Sequence, residues 1–439
     1  MPNIVNVVVS QQVASAPNTL QRTGAFISQG GTTLAAGSTQ LLTQLSSLTS
    51  ILRPATAISA ISWSDNEVTV TTESAHGIPN GDTVQITIAG VAPVGYNGSF
   101  AGTSTGANTL TYPLITNPGS ETTLGTLQLN SAIELQAMAN TFFAQGSNTP
   151  VFVLELGANT VANGITALEA YITANVGQPA TSATPQFYSY LLPAEWDLSA
   201  AQTMAKMYEG TTAQVYFYPT TTLATYTGWE GIKSVVASVQ SPSAPVTEFS
   251  AAAIFWTTLS YNPSASSLVS PLEYTYVYFV TPYSTLTNTQ QTLLLAAGVN
   301  WVGTGAQGGI SNTLIEGGTT MDLNPFNYWY ATDWLAINVA QALAAAIING
   351  SNLPTNPLYY NQAGINTLQK VAQATTNNGI SFGLILSPAT VNAVPFITYV
   401  EQHPSDYATG TYNGLSLTFV PARGFNSITI YLTASNIPV

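Results

Sequence analysis

Two stretches at opposite ends of the chain alternate with the two-residue period of a β-strand. In residues 427–433, Ile428, Ile430 and Leu432 fall on one face and Ser427, Thr429, Tyr431 and Thr433 on the other, the pattern of a half-buried strand. In residues 4–9, Val5, Val7 and Val9 face one way and Ile4, Asn6 and Val8 the other, so both faces are apolar enough to be covered. A strand at a chain end, next to polar sequence, can add to the sheet edge of a neighbouring subunit. It can equally pair inside its own subunit. The second reading has local support at the C-terminus, because residues 415–420 also alternate and Pro421, Ala422, Arg423 and Gly424 supply turn residues. The pattern alone leaves both readings open.

Residues 10–17 read as a polar linker, with Pro17 and small residues disfavouring a helix. Residues 23–28 predict a strand and Gly30 and Gly31 a turn. Residues 38–52 predict a helix with Ser38 as N-cap and with Leu41, Leu45, Leu48 and Leu52 at three- and four-residue spacing. The pattern changes at Pro54. Short alternating runs at 67–72, 83–88, 98–101 and 108–112 are separated by Asp65-Asn66, His76-Gly77, Asn80-Gly81-Asp82, Asn97-Gly98 and Asn117-Pro118-Gly119. Residues 57–127 are therefore expected to form a small all-β module, sandwich or barrel, inserted into a different domain.

A helix is predicted over 129–145, with Ile133, Leu135, Met138, Ala139 and Phe142 on one face. A strand over 150–156, a helix over 161–175 and a strand over 187–192 then read as a parallel unit. A helix over 199–208 and a strand over 213–218 follow, and residues 231–240, 250–259, 274–280 and 290–302 continue the mixture. The expectation is an α/β body with its strands largely covered. Residues 328–349 predict the longest helix, rich in Ala, with Leu335, Val339, Leu343 and Ile347 in one row and Gly350 placed to end it. A helix over 362–373 and a strand over 383–386 precede the strands that close the chain.

At 439 residues the chain has room for two to four domains. Only 6% of residues are charged, so Ser, Thr, Asn and Gln must do most of the solvating, and such a surface has little electrostatic opposition to self-association. Lys and Arg number 6 against 19 Asp and Glu, for a net charge of -13. The cations Arg22, Arg53, Lys206, Lys233, Lys370 and Arg423 are scattered singly, which argues against nucleic-acid binding. The absence of cysteine removes disulfides, thiolate metal sites and cysteine catalysis. Residues 1–5 show no signal-peptide pattern, and the longest apolar stretch, 334–348, is interrupted by Asn338 and Gln341 and is short for a bilayer span. A soluble protein with a cytoplasmic start is expected.

Gly303, Gly305 and Gly308 have the spacing of a dinucleotide-binding turn, but that motif needs a helix directly after the last Gly to meet the pyrophosphate, and residues 309–318 predict none. His76 and His403 lie in no metal-ligand spacing, and His76 reads as a turn residue. Glu195 with Asp197, or Asp322 with Asp333, could be an acid–base pair for glycoside hydrolysis. A helix N-cap or first-turn role for Asp197, and a first-turn role for Asp333, explain them better. Tyr328, Trp329, Tyr330 and Trp334 could stack on a sugar, although aromatics opening a helix usually serve core or interface.

Taken together, the chain resembles the contractile tail sheath proteins of bacteriophages with long contractile tails (myoviruses). The resemblance is carried by residues 4–9, by 20–31 with 41–45 behind them, and by Asn300 and Trp301. Asp333, Trp334 and Leu335 on the long helix, Tyr360 with Gly364 and Ile365, and the terminal strand also carry it. Residues 57–127 resemble a small β-module common on phage surfaces, through 75–77, 81–82, 95–98 and 117–119. The resemblance implies a mixed α/β sheath body formed by 19–56 and 128–350, an inserted all-β domain, an N-terminal linking arm at 1–18 and a C-terminal domain at 351–439 ending in a linking strand. It implies a virion structural protein without catalytic residues, cofactor or metal, assembled in the host cytoplasm. Such a protein stacks as hexameric rings around a tail tube, contracts during genome ejection, and meets tube, baseplate and tail terminator proteins, with no nucleic-acid or membrane partner. The linking strands would be Ile4, Val5, Asn6, Val7, Val8 and Val9 at one end and Ile428, Thr429, Ile430, Tyr431 and Leu432 at the other. Asp333, Trp334, Leu335, Val339 and Leu343 would form a tube-proximal or packing helix. The leading alternative is a carbohydrate-binding phage or cell-surface adhesin, followed by a glycan hydrolase.

Overall fold

The computed structural model describes residues 20–146, 149–210, 214–305, 312–353 and 357–425. These fall into two compact units, one of residues 20–262 with 274–326 and one of 263–273 with 327–425.

The first unit is organised around β1 (Gly24–Ser28), every residue of which is buried. Phe26 packs on one face against Phe142 and Phe255, with ring centroids 5.3 and 6.0 Å away. Ala25 and Ile27 join the core on the other face with Ile165, Leu168, Trp196 and Met204. A strand covered on both sides reads as a continuous apolar run, which is the sequence seen. A Cβ on Gly24 would lie 2.6 Å from the Leu259 side chain, so glycine sets how closely the helix below approaches.

Four parallel strands and one antiparallel edge strand make this sheet, in the order β11 (Tyr216–Tyr218), β10 (Ser189–Leu191), β1, β9 (Val151–Glu155) and β2 (Thr39–Leu42). The predicted strand–helix–strand unit is present as β9 (Val151–Glu155), α3 (Val161–Ala174) and β10 (Ser189–Leu191). Its two strands do not touch: β1, from the start of the chain, lies between them and is parallel to both. The helix expected over 38–52 is corrected to β2 (Thr39–Leu42) and a single turn α1 (Leu45–Thr49). Leu42 and Leu48 are buried while Leu41 and Leu45 are exposed, so the leucine row is not the buried face. Pairing of β2 with β9, Leu42 opposite Val151, overrides the local period.

Residues 56–129 form a closed six-stranded barrel of β3 (Thr56–Ser64), β4 (Glu67–Thr72), β5 (Thr83–Ala89), β6 (Gly98–Ser104), β7 (Thr109–Pro113) and β8 (Thr126–Leu129), in the order β3-β4-β7-β6-β5-β8. Closure removes the exposed edges a sandwich would leave. The four predicted strands are present. β3 lacks a clean alternation because its register shifts between Ile58 and Ala60. Asp65 and Asn66 take φ of 54° and 65°, the positive values that a two-residue hairpin of type I′ requires. β8 runs directly into α2 (Asn130–Gln145), and Thr87 Oγ1 donates to Asn130 Oδ1 at 2.7 Å.

After α4 (Ser199–Met207) and β11 (Tyr216–Tyr218), a second sheet is built from β12 (Thr220–Thr221), β13 (Ser238–Val239), β14 (Asn300–Thr304) and β15 (Thr313–Glu316). Its helices are α5 (Ser250–Leu259) and α6 (Asn288–Ala297), the latter opened by a capping box of Thr287 and Gln290.

The second unit holds α7 (Phe326–Ser351, its first residue belonging to the first unit), α8 (Gln362–Ser381), β16 (Ile385–Ala393), α9 (Phe396–Gln402), α10 (Pro404–Thr409) and β17 (Leu415–Pro421). Gly350 does not end α7, as the sequence suggested. It lies inside the helix, where a Cβ would come within 2.6 Å of Leu358 Cβ. Asn338 does not interrupt the helix either, because its side chain donates back to Trp334 O at 2.8 Å. The resulting 26 residues are, by length and composition alone, enough to cross a bilayer, unlike the shorter stretch expected.

Candidate functional site

The sequence paired Glu195 with Asp197, but the fold turns them to different partners. Asp197 Oδ1 accepts Trp229 Nε1–H at 2.7 Å, and Oδ2 accepts the hydroxyls of Thr221 and Thr225. It does not cap α4, whose N-cap position is Leu198. Glu195 instead shares a cleft of about 1100 Å³ with Glu134 of α2, and no Lys, Arg or His lines it. The Ala194 N–H donates to Glu134 Oε1 at 2.8 Å. Burial pushes the Glu134 carboxyl up to about 7, the Ala194 bond opposing this and the Glu195 charge adding to it. Burial also raises the Glu195 carboxyl.

Asp322 belongs to a turn, accepting from Thr320 Oγ1, Asn324 N and Asn324 Nδ2. Asp333 is not in the first turn of its helix but two turns further in, and is buried. Where the dinucleotide motif needs a helix after its last glycine, the next described element is β15, which pairs antiparallel with β14, Thr304 opposite Thr313. Residues 306–311 lie outside the described residues. His76 is buried in the loop between β4 and β5, its Nδ1 accepting the Ile78 N–H at 3.2 Å and its Nε2 3.2 Å from Thr109 O. Tyr328, Trp329, Tyr330 and Trp334 form no single platform, because Tyr330 is buried and Trp334 packs edge-on against Phe382 at 5.7 Å. Among the described residues no group of three or more His, Cys, Asp or Glu could hold a metal ion.

The polar centre that the sequence did not announce is Glu155. Its Oε1 accepts the backbone N–H of Gly30 at 2.6 Å and of Gly157 at 2.7 Å. Its Oε2 accepts Ser28 Oγ at 2.8 Å, Thr32 N at 3.0 Å and Thr32 Oγ1 at 2.7 Å. Gln29 completes the seam, accepting from Trp196 Nε1 at 2.6 Å and donating to Asn159 Oδ1 at 2.9 Å. Residues 28–32 thus fasten the loop after β1 to the loop after β9. A carboxylate so fully engaged is a structural tie.

The two sets of linking residues, Ile4 to Val9 and Ile428 to Leu432, lie outside the described residues. The hairpin of 415–420 with 427–433 therefore has one member in view, and that member, β17, pairs with β16. On α7, Asp333 and Leu335 are buried, while Trp334, Val339 and Leu343 are half-buried. β16 and β17 make a two-stranded antiparallel sheet resting on α8. Two glutamines of α8 occupy backbone groups of β16: Gln373 Oε1 accepts Val391 N–H at 2.9 Å, Gln373 Nε2 donates to Ala389 O at 3.1 Å, and Gln369 Nε2 donates to Val391 O at 2.8 Å. Among the described residues nothing pairs with the far edge of β17.

No protein-family model and no curated protein matches the sequence. Among solved structures, a chain of the anti-feeding prophage baseplate, seen by cryo-EM, is similar over 99% of this chain and 99% of its own, with a TM-score of 0.52 and 11% identity. A chain of the anti-feeding prophage helical sheath in its contracted state is similar over 99% of this chain and 100% of its own, with a TM-score of 0.51 and 11% identity. The chain therefore has the fold of contractile tail sheath proteins, in agreement with the resemblance carried by its residues.

Proposed function

We propose that the protein is the structural sheath subunit of a contractile phage tail. It polymerises as stacked hexameric rings around a tail tube and shortens on infection. The observation that carries the reading is likeness over nearly the full length of both chains to a subunit of a contracted helical sheath. Partners of the assembled form are further copies of the chain, the tube protein, and the baseplate and terminator at its ends. It works in the virion tail, after assembly in the host cytoplasm, without catalysis or cofactor.

The linkage between copies is proposed to run through β17. An isolated two-stranded sheet is marginal in water and gains from a third strand. The glutamines of α8 engage β16, so β17 offers the edge for extension. Residues 427–433 would add there, and a neighbour's Ile4 to Val9 would add next, with 10–17 bending as bodies rotate. Main-chain bonds in such a sheet survive rotation of the bodies. The barrel of residues 57–127 is proposed as the outward module.

Negative-stain imaging of the purified full chain is expected to show rings or tubes, and removal of residues 1–10 to leave separate subunits. Polymers unaffected by that deletion would refute the linking arm.

A further inference from the structure

Residues 274–280 run beside β15 without becoming a strand. The Tyr274 N–H donates to Ile315 O at 2.7 Å, Ile315 N–H to Thr275 O at 2.9 Å and Val277 N–H to Thr313 O at 3.1 Å. The segment thereby covers the outer edge of the second sheet. It is pinned again at its far end. Gln145 Nε2 donates to Tyr278 O at 2.6 Å and Gln145 Oε1 accepts the Tyr278 N–H at 2.8 Å, while Thr281 donates from N and Oγ1 to Glu248. Tyr274 and Phe279 take φ of 63° and 55°, values that bulky residues adopt only when their surroundings impose them.

This rigid frame buries Val277 and Val280 and turns Tyr276, Tyr278 and Phe279 outward, with Phe279 84% exposed. Aromatic side chains held this way have little entropy left to lose and act as anchors in interfaces. Three rings of roughly 150–250 Å² each, about half or more exposed, supply close to half of the roughly 800 Å² per partner that a stable contact buries. That area calls for a macromolecular surface. The stretch 271–283 carries Glu273 and no Lys or Arg, which suits neither an anionic lipid surface nor a strongly acidic partner. A nearly uncharged surface rich in Ser, Thr and Asn, able to pack on rings and bond phenol hydroxyls, suits it well, and this chain has such a surface itself.

We propose that Tyr276, Tyr278 and Phe279 form a heterologous contact with a second copy of this chain, meeting a different face of that copy as an open helical polymer requires. The inference rests on the sheath reading. The chain has no cysteine, so Phe279→Cys introduces a lone thiol. Its maleimide labelling is expected to be fast in dissociated subunits and blocked in polymer. Phe279→Ser is expected to leave the unfolding midpoint unchanged and to raise the critical concentration for polymerisation about 30-fold, as loss of an interface hot spot does. Equal thiol reactivity in subunit and polymer, or an unchanged critical concentration, overturns the contact and leaves the sheath reading standing. A thiol shielded by phosphatidylcholine vesicles or by cellohexaose, but reactive in polymer, overturns it in favour of that occupant. A wild-type chain that never polymerises defeats the sheath reading, and the contact with it.

Discussion

Gly30 donates its backbone N–H to Glu155 at 2.6 Å across 125 residues of sequence, the shortest of five bonds that the buried carboxylate accepts. Glu155→Gln turns one acceptor oxygen into a donor facing donors. The variant is expected to lose about 2–4 kcal/mol of stability, measured by denaturant unfolding of the full chain, whereas exposed Glu67→Gln changes it little.

Glu134 gives the stability of the first unit a pH dependence of definite sign. Its carboxyl is raised from 4.5 to about 7, mainly by burial. Between those values the folded chain keeps a proton that the unfolded chain releases, so this group's contribution falls as pH rises from 4.5 through 7. Glu134→Gln keeps the acceptor for Ala194 and removes the titration. It is expected to match wild type near pH 4 and to exceed it by roughly 1–2 kcal/mol at pH 8. Thermal unfolding at the two pH values checks this, and a difference of opposite sign refutes it.

Gly350→Ala should destabilise although alanine is the better helix former by about 1 kcal/mol. The added Cβ would sit 2.6 Å from Leu358 Cβ, and overpacking of that kind costs roughly 1–3 kcal/mol. A rise in melting temperature would show that α7 can shift to make room.

Gln373→Ala removes the group that bonds both Val391 N–H and Ala389 O. A loss of about 1–2 kcal/mol is expected, together with faster amide exchange at Val391. Unchanged exchange there would mean that α8 does not hold β16.

Much of this was legible in the chain itself. Elements whose burial follows their own period were found at nearly their true limits: β4 at 67–72, and α2, whose Leu135, Met138 and Phe142 recur on one buried face. The β-module was legible because Asp65-Asn66 and the other turn pairs punctuate it. Tertiary structure decided which strand lies beside which. Nothing in residues 150–192 says that β1 enters between β9 and β10, because the partner is remote in sequence. Pairing with β9 likewise drew Leu41, first of the helically spaced leucines, into a strand. Glu155 sits in the strand expected over 150–156, and its five donors come together only when two loops meet. The sequence determined which segments can bury a face, since periodicity is local. The fold decided which faces, edges and carboxylates are satisfied and which stay open, because those partners are supplied from a distance.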